Sequence, residues 1–248
     1  MKQSKTNTSL GRKVSARPGV RLRGQMAEVY EARGHSTGKL WMQYSSKAGR
    51  DVAFASEIGY LHFLYVESSF DVKQVNYTPK MAVEKFVGSG FVDFVTTVIS
   101  RENGDVVWRH LCAANSTIAT EQKRSNLQLL LQCSYTEKKI PMPIVEVLTH
   151  DEMLASPQRI RNWHRVAAWL AAGRDWGLTQ EQLEVAALIR SKKRVEFQEV
   201  LALGKATERA DLYGVAILRS LQAGAYCSNL FDAPFTTRTV FTEKQEML

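Results

Sequence analysis

Two carboxylates in the first half of the sequence, Glu57 and Asp93, could bind a metal ion together. Glu57 lies in a segment with helical spacing, and Asp93 lies among large apolar residues in Gly90-Phe91-Val92-Asp93-Phe94-Val95. A carboxylate in so apolar a strand must be paired, hydrogen-bonded or bound to a cation, because an isolated buried charge is costly. Mg²⁺ binds one or two carboxylates and keeps room for water and phosphate oxygens. A helix Glu with a strand Asp therefore predicts a nuclease-type site in which Mg²⁺ or Mn²⁺ activates water.

A purely structural interpretation of the same two residues is open as well. Asp93 would then form an ion pair with a neighbouring Lys or Arg, and Glu57 would be solvated. The two residues alone do not decide between a metal site and a surface ion pair.

The segment from residue 41 to residue 112 predicts the elements that would position this pair. Residues 41–44 have the pattern of a short strand, and residues 52–66 carry apolar side chains at helical spacing, namely Phe54, Ile58, Leu61 and Tyr65. Strand patterns follow at 71–77, 81–87, 91–100 and 106–112. Turn signals between them are Gly88-Ser89-Gly90 and Asn103-Gly104. We therefore expect an antiparallel meander over residues 71–112, with Asp93 in the middle of a strand.

The rest of the chain predicts two further groups of elements. Helical periodicity recurs at 118–137 and 157–170, on either side of a strand pattern at 144–148. After a candidate boundary at Gly173–Gly177, three short helices are predicted at 179–190, 197–203 and 207–221, followed by a β-hairpin at 225–242. Thr179 is the expected N-cap of the first of these helices. This order is typical of a winged helix, so we expect a basic arm at 1–39, an α/β domain at 40–173 and a winged-helix domain at 174–248.

The composition excludes several classes of protein. The chain has 248 residues, 44% of them hydrophobic, and no run approaches the about 18 apolar residues that span a bilayer. Its three cysteines are odd in number and far apart, which favours reduced thiols in a cytoplasmic protein over a disulfide framework. Its five histidines have no zinc-ligand spacing. We expect a cytoplasmic protein with no membrane partner and no structural zinc.

The charge points to a polyanionic partner. The net charge is +8, and the first 27 residues contain no acid. That segment is either a solubilising tail or an arm that lies along DNA phosphates through Arg12, Lys13, Arg17, Arg21 and Arg23. Further candidate DNA contacts are Arg190, Lys192, Lys193 and Arg194 at the end of the helix from Thr179, and Arg209 and Arg219 on the third helix.

Several short segments resemble the TnsA endonucleases of heteromeric transposons. The matches, in the order and spacing of that family, are Ser56-Glu57, Val75-Asn76-Tyr77-Thr78-Pro79, Phe91-Val92-Asp93-Phe94, Glu146-Val147-Leu148-Thr149 and Arg159-Ile160-Arg161-Asn162-Trp163. The resemblance covers roughly residues 40–240. It implies a restriction-endonuclease-like mixed sheet with flanking helices, followed by a small winged helix. It also implies cleavage at the 5′ ends of a transposon beside a DDE transposase and an AAA+ ATPase, with Glu57 and Asp93 as metal ligands.

The strand after Asn103-Gly104 departs from the family pattern. The family has Glu or Gln, any residue, then Lys at this strand, and the lysine supports the attacking water. This chain has Val106-Val107-Trp108-Arg109-His110-Leu111-Cys112 instead. Arg109 could supply charge but stays protonated, whereas His110 could act as a base because its unperturbed pKa lies near neutrality. Alternation places these two residues on opposite faces of the strand.

Three hypotheses about function follow. The first is a metal-dependent endonuclease that cuts transposon 5′ ends, with Glu57, Asp93, Arg109 and His110 as candidate catalytic residues. The second is a non-catalytic DNA-binding and scaffolding subunit of the same machinery. The third is a winged-helix transcription regulator with an unrelated N-terminal domain, and the strand around Asp93 argues against it.

Overall fold

The computed structural model of the chain describes residues 39–80, 83, 91, 93–112, 117–136 and 142–244. The basic arm, with Arg12, Lys13, Arg17, Arg21 and Arg23, lies outside the described residues. So do the turn Gly88-Ser89-Gly90 and all but one residue of the predicted strand 81–87. The described part combines helices with a mixed sheet, as the sequence predicts.

A hairpin and a helix open the described chain. Strand β1 (Trp41–Ser45) pairs antiparallel with β2 (Arg50–Phe54), and helix α1 (Glu57–Glu67) follows. The prediction of a helix from residue 52 is wrong for its first residues. Val52 and Phe54 pair with β1 across the hairpin, and the Ser56 side chain accepts a hydrogen bond from the Gly59 amide, which fixes the helix start.

The central sheet has four strands in the order in which they occur in the chain. They are β3 (Val72–Asn76), β4 (Thr97–Arg101), β5 (Val106–Cys112) and β6 (Ile144–Thr149). Strands β3, β4 and β5 pair antiparallel, which confirms three of the four strands of the predicted meander, while β5 and β6 are parallel. Val83, the described residue of the predicted strand 81–87, is helical instead, and its amide donates to the Pro79 carbonyl at 3.0 Å. A parallel pair needs a crossover, and helix α2 (Thr117–Thr136) provides it.

Helices cover both faces of this sheet. Leu127 and Leu131 of α2 pack on Trp108 and Val145, whereas Val66 of α1 packs on the opposite face, against a group made up of Val72, Val75, Ile99 and Val107. Successive residues of β5 therefore point alternately towards α2 and towards α1.

The predicted strand 91–100 is correct only in its second half. The amides of Phe94 and Val95 donate to the carbonyl of Phe91 at 3.1 and 3.3 Å, so the chain turns there, and β4 begins at Thr97. Asp93 consequently lies in a turn before the strand rather than in its middle. A run of apolar residues does not distinguish a strand from a turn packed beneath a helix, and Phe94 and Val95 are buried next to α2 without strand pairing.

The second half contains a smaller sheet and its helices. After the short helix α3 (His150–Leu154), the elements are α4 (Pro157–Ala172), α5 (Thr179–Lys192), β7 (Arg194–Glu196), α6 (Phe197–Leu203), α7 (Ala210–Gln222), β8 (Tyr226–Ser228) and β9 (Val240–Glu243). The strands form an antiparallel sheet in the order β7-β9-β8. The predicted helices and hairpin are therefore present.

Three boundaries in this half differ from the predictions. Leu178 is the N-cap of α5 and forms no side-chain cap, so Thr179 is the first helical residue and not the cap. Helix α7 starts at Ala210 because a 3₁₀ turn precedes it and Glu208 has φ of +56°. The returning strand begins only at Val240, because the Thr236 and Thr239 backbones hydrogen-bond to each other in a turn.

Helix α4 contributes to the cores of both halves. Ile160 and Ala167 pack in the core around α1, whereas Trp163, Val166 and Leu170 pack in the core of the second half. Among the described residues, no helix is long and apolar enough to cross a membrane.

Candidate functional site

The predicted metal ligands Glu57 and Asp93 lie on the surface. Glu57 is the first residue of α1 and is exposed. The Asp93 side chain is 93% exposed, and its Oδ1 lies 3.8 Å from Nζ of Lys80. No hydrogen bond or ion pair of the described residues joins Asp93 to Glu57, and no group of three carboxylate, His or Cys side chains there could hold a metal ion. The arrangement matches the structural interpretation, an ion-paired Asp93 and a solvated Glu57.

Arg109 is buried in the centre of β5 and forms an ion pair with Glu146. It is 5% exposed, and its Nε donates to Glu146 Oε2 on β6 at 2.9 Å. The other oxygen of Glu146 accepts from Arg101 Nη2 at 2.6 Å, and Arg101 in turn approaches Asp71 at 3.4 Å. The charges thus alternate along the series of ion pairs Asp71–Arg101–Glu146–Arg109, and Glu146 neutralises Arg109 from within the fold.

His110 points to the other face of the sheet, so it does not share a site with Arg109. Its ring stacks on Phe94 with centroids 4.1 Å apart, and its Nδ1 lies 2.6 Å from the Phe94 carbonyl oxygen. Burial lowers the pKa of His110, the Phe94 carbonyl opposes that shift, and Lys123 adds to it. A neutral ring whose Nδ1 donates to the carbonyl fits this environment.

A buried histidine that the sequence analysis did not single out lies between α1 and the sheet. His62 is fully buried, its ring packs edge-on to Tyr77, and burial, with a smaller contribution from Arg109, lowers its pKa to about 3. Within the described residues, neither nitrogen of His62 has a hydrogen-bond partner, nor do Thr97 Oγ1 and Arg109 Nη1. The local signal was weak, because a histidine within Leu61-His62-Phe63 has the same spacing as any core residue.

A second buried polar cluster joins the first hairpin, α1 and α7. Glu67 is 2% exposed and accepts from Ser45 at 2.5 Å, Ser46 at 2.9 Å and the Gln222 side chain at 2.7 Å. Burial raises the pKa of Glu67, and these hydrogen bonds oppose the shift. The neighbouring Lys47 is also buried, and desolvation lowers its pKa to about 8.

Two polar residues of the segment Arg159–Trp163, Arg159 and Asn162, hold other parts of the fold together. Arg159 donates to the hydroxyls of Ser68 at 2.6 Å and Ser69 at 2.9 Å. Asn162, 2% exposed, binds the carbonyls of Leu230 and Ala233 and the amide of Phe235, at 2.6, 2.7 and 2.8 Å. Asn162 therefore fixes the long connection between β8 and β9.

Two of the four members of the predicted DNA-binding cluster on α5 and β7 have acidic partners. Lys192 pairs with Glu199 at 2.6 Å and Lys193 with Glu243 at 2.9 Å, while Arg190 and Arg194 are exposed. Arg209 pairs with the buried Glu181.

Helix α7 presents little surface for reading DNA bases. Residues 212–218 are all buried, and α7 packs against α4, α5 and α6. Arg219 donates to the carbonyls of Gly173 and Trp176, at 2.5 and 2.8 Å. Helix α7 therefore lacks the exposed face that the predicted entry into a major groove would require.

A groove between α1 and α4 is lined by basic side chains instead. Its volume is about 520 Å³, and it is lined by Tyr60, Leu64, Gln158, Ile160, Arg161, Asn162, His164, Arg165 and Pro234. None of the described residues of this lining is acidic. The sequence signal was the spacing i, i+3, i+4 of Arg161, His164 and Arg165, which places all three on one side of a helix.

No protein-family model matches the sequence, and a comparison with curated proteins gives no match. The chain's own residues therefore carry the functional argument.

Proposed function

We propose that this chain is a TnsA-like DNA-binding subunit of a transposition machine, in which a nuclease-type fold binds DNA and partner proteins without cutting by the conventional metal mechanism. The observation that carries the proposal is the order of elements. A helix, a three-stranded meander, a crossover helix and a parallel fourth strand are followed by α3 and α4, and then by three more helices and a small antiparallel sheet. This is the order that a restriction-endonuclease-like domain followed by a winged helix would have.

The central strand supports the non-catalytic form of the proposal. In the family pattern, the strand after the turn supplies a carboxylate or amide and a lysine to the metal and the attacking water. Here Arg109 lies buried in that strand and is neutralised by Glu146, and His110 faces the other side. Asp93 forms a surface ion pair with Lys80. This arrangement does not fit a Mg²⁺ site, so no step of the proposed function passes through a metal.

The second half supports a docking role more than a base-reading role. Helix α7, which would be the recognition helix of a winged helix, is covered by the helices around it. The exposed Arg190 and Arg194 remain for phosphates or for an acidic partner surface. A DDE transposase and an AAA+ ATPase are the partners that the family resemblance proposes.

Binding and cleavage assays test the two parts of this proposal. We expect the full chain to bind labelled duplex DNA with an affinity that falls steeply as salt increases, because contacts to phosphates release counterions. Absence of salt-dependent binding to any duplex would overturn the DNA-binding role.

The cleavage assay uses end-containing DNA with Mg²⁺ or Mn²⁺, with and without the transposase. We expect the chain itself to produce no nick, and the variants Asp93→Ala and Glu57→Ala to behave like the unmodified protein. Nicking by the unmodified chain that is lost in Asp93→Ala would assign the cutting role instead.

A further inference from the structure

The groove between α1 and α4 combines positive charge with an aromatic stack. We infer that it binds a single-stranded segment of DNA, with the backbone phosphates on Arg161 and Arg165 and an unpaired base on the outer face of Trp41, whose inner face stacks on Tyr60. This inference rests on the proposed DNA-binding function and names the place and the form of DNA that would be bound.

The charges of the groove have no acidic partner within the described residues. The charged residues are Arg161 and Arg165, which are exposed on α4 and line the groove. They differ in this from Lys192, Lys193 and Arg209, which form ion pairs with glutamates. Arg165 gives one donor, Nη1, to the Phe235 carbonyl at 3.1 Å, which orients its guanidinium and leaves other donors for a ligand. The fork of guanidinium donors matches phosphate oxygens.

An aromatic stack continues from the groove towards the surface. Tyr60 lines the groove, and its ring lies nearly parallel to Trp41, with centroids 5.5 Å apart and planes inclined by 10°. On its inner side Tyr60 stacks on Phe63 at 6.0 Å, and its hydroxyl meets His164 Nδ1 at 2.5 Å. The inner end of the stack is therefore anchored in the core, and the half-buried Trp41 forms its outer end. Successive bases of a single strand stack on such aromatic side chains beside a basic groove.

The groove is held in shape before any ligand arrives. Pro234, which lines one side, lies between Ala233 and Phe235, and Asn162 binds the backbone of both neighbours. The other walls are two regular helices. A preformed site loses less conformational entropy on binding than a flexible one.

The size of the groove favours an unpaired strand over a duplex. A volume of about 520 Å³ lies in the range of clefts for small ligands, about 300 to 1,000 Å³, and cannot enclose a double helix. In a duplex the faces of the bases are stacked on one another, so Trp41 could not stack on them. A free phosphate or an acidic peptide would use the arginines and not the aromatic rings, and this difference separates the possible ligands.

The test measures fluorescence anisotropy of a labelled oligothymidylate and of a matched duplex with the full chain. In the double variant Arg161→Ala, Arg165→Ala we expect a tenfold or greater loss of affinity for the single strand. The dependence of log K on log salt should become shallower by about 1.4, since each phosphate contact on a single strand contributes about 0.7. The matched control, Lys192→Ala with Lys193→Ala, removes the same charge from residues that are already paired and should change the single-strand affinity less than twofold.

The variant Trp41→Ala tests the aromatic contact with the base. Loss of one stacked base lowers affinity by about fivefold or more, and we expect that loss for the single strand and not for the duplex. The variant Arg161→Lys, Arg165→Lys should recover part of the single-strand affinity. Thermal unfolding of each variant checks that the fold is intact. If one unfolds, the exposed single variant Arg161→Glu replaces the arginine variant, and Trp41→Leu, which keeps an apolar side chain without a ring, replaces Trp41→Ala.

The results separate this inference from the proposed function. If the unmodified chain binds duplex with a steep salt dependence while both groove variants keep full single-strand affinity, the inference is overturned and the proposed function stands. An equal loss in the groove and control variants also overturns it. Loss with the arginine variant but not with Trp41→Ala indicates a phosphate or acidic-peptide site and overturns the single-strand assignment. If the unmodified chain binds no DNA, both proposals fall.

Discussion

The buried and the exposed charged residues of this chain differ in what neutralises them. Arg109 and Glu67, 5% and 2% exposed, are each held by hydrogen bonds to partners far away in the sequence. Asp93, at 93% side-chain exposure, meets only Lys80 among the described residues, at the long distance of 3.8 Å. The cations of the α1–α4 groove meet no acid at all within that part of the chain. The buried charged residues therefore stabilise the fold, whereas the exposed arginines of the groove are available to bind a ligand.

The largest expected effect comes from breaking the ion pair inside the sheet. Arg109→Ala removes the buried cation at 2.9 Å from Glu146 and leaves Arg101, at 2.6 Å, as its remaining partner. Removing one partner of a buried pair costs about 3 to 5 kcal/mol, and the 30% exposure of Glu146 together with its second partner Arg101 places the loss near the lower end. Chemical denaturation should report a free energy of unfolding lowered by about 3 kcal/mol.

The control for this comparison is Arg124→Ala, which removes an arginine from the exposed pair with Glu121 on α2. Exposed pairs of this spacing contribute about 0.3 to 0.5 kcal/mol. Equal losses for Arg109→Ala and Arg124→Ala would mean that burial does not distinguish the two classes of charge.

An intermediate effect is expected from the pH dependence of Glu67. Burial raises the pKa of this carboxyl in the folded protein, so the folded state holds its proton more tightly than the unfolded state. The stabilising contribution is therefore fully present below the unfolded pKa, near 4.5, and is lost as the pH rises through the folded pKa. Glu67→Gln keeps a neutral side chain that can still hydrogen-bond with Ser45 and Gln222, and it should flatten this part of the profile.

Melting temperatures measured across this pH range, in the unmodified chain and in Glu67→Gln, provide the check. The exposed Glu57→Gln serves as the matched variant and should leave the profile unchanged. A decline in stability above pH 4.5 that persists undiminished in Glu67→Gln would assign it to another group.

The contrast between buried and exposed charge also bears on which features of the structure could be predicted from the sequence. Strand β5, the turn at Asn103-Gly104 and helix α6 were predicted because their signals are local: alternation, a hairpin dipeptide and a terminal glycine. Strand β2 was missed because Phe54 fits helical spacing with Ile58, and only pairing with β1 makes it a strand. The Arg109–Glu146 pair spans 37 residues and depends on strand register. The groove forms only where α1 packs on α4, and no local sequence pattern predicts that packing.

The smallest expected effect is the sharpest test of the surface carboxylates. If Asp93 only forms an exposed ion pair with Lys80, Asp93→Asn should change the free energy of unfolding by less than about 0.5 kcal/mol, because such pairs contribute little in water. Lys80→Gln should have an effect of the same small size. A carboxylate crowded against other carboxylates in a metal site would behave differently, because its neutralisation relieves repulsion and stabilises the protein in a chelator. A stabilisation of about 1 kcal/mol or more for Asp93→Asn in a chelator, absent in Lys80→Gln, would therefore contradict the surface pair and favour the nuclease site.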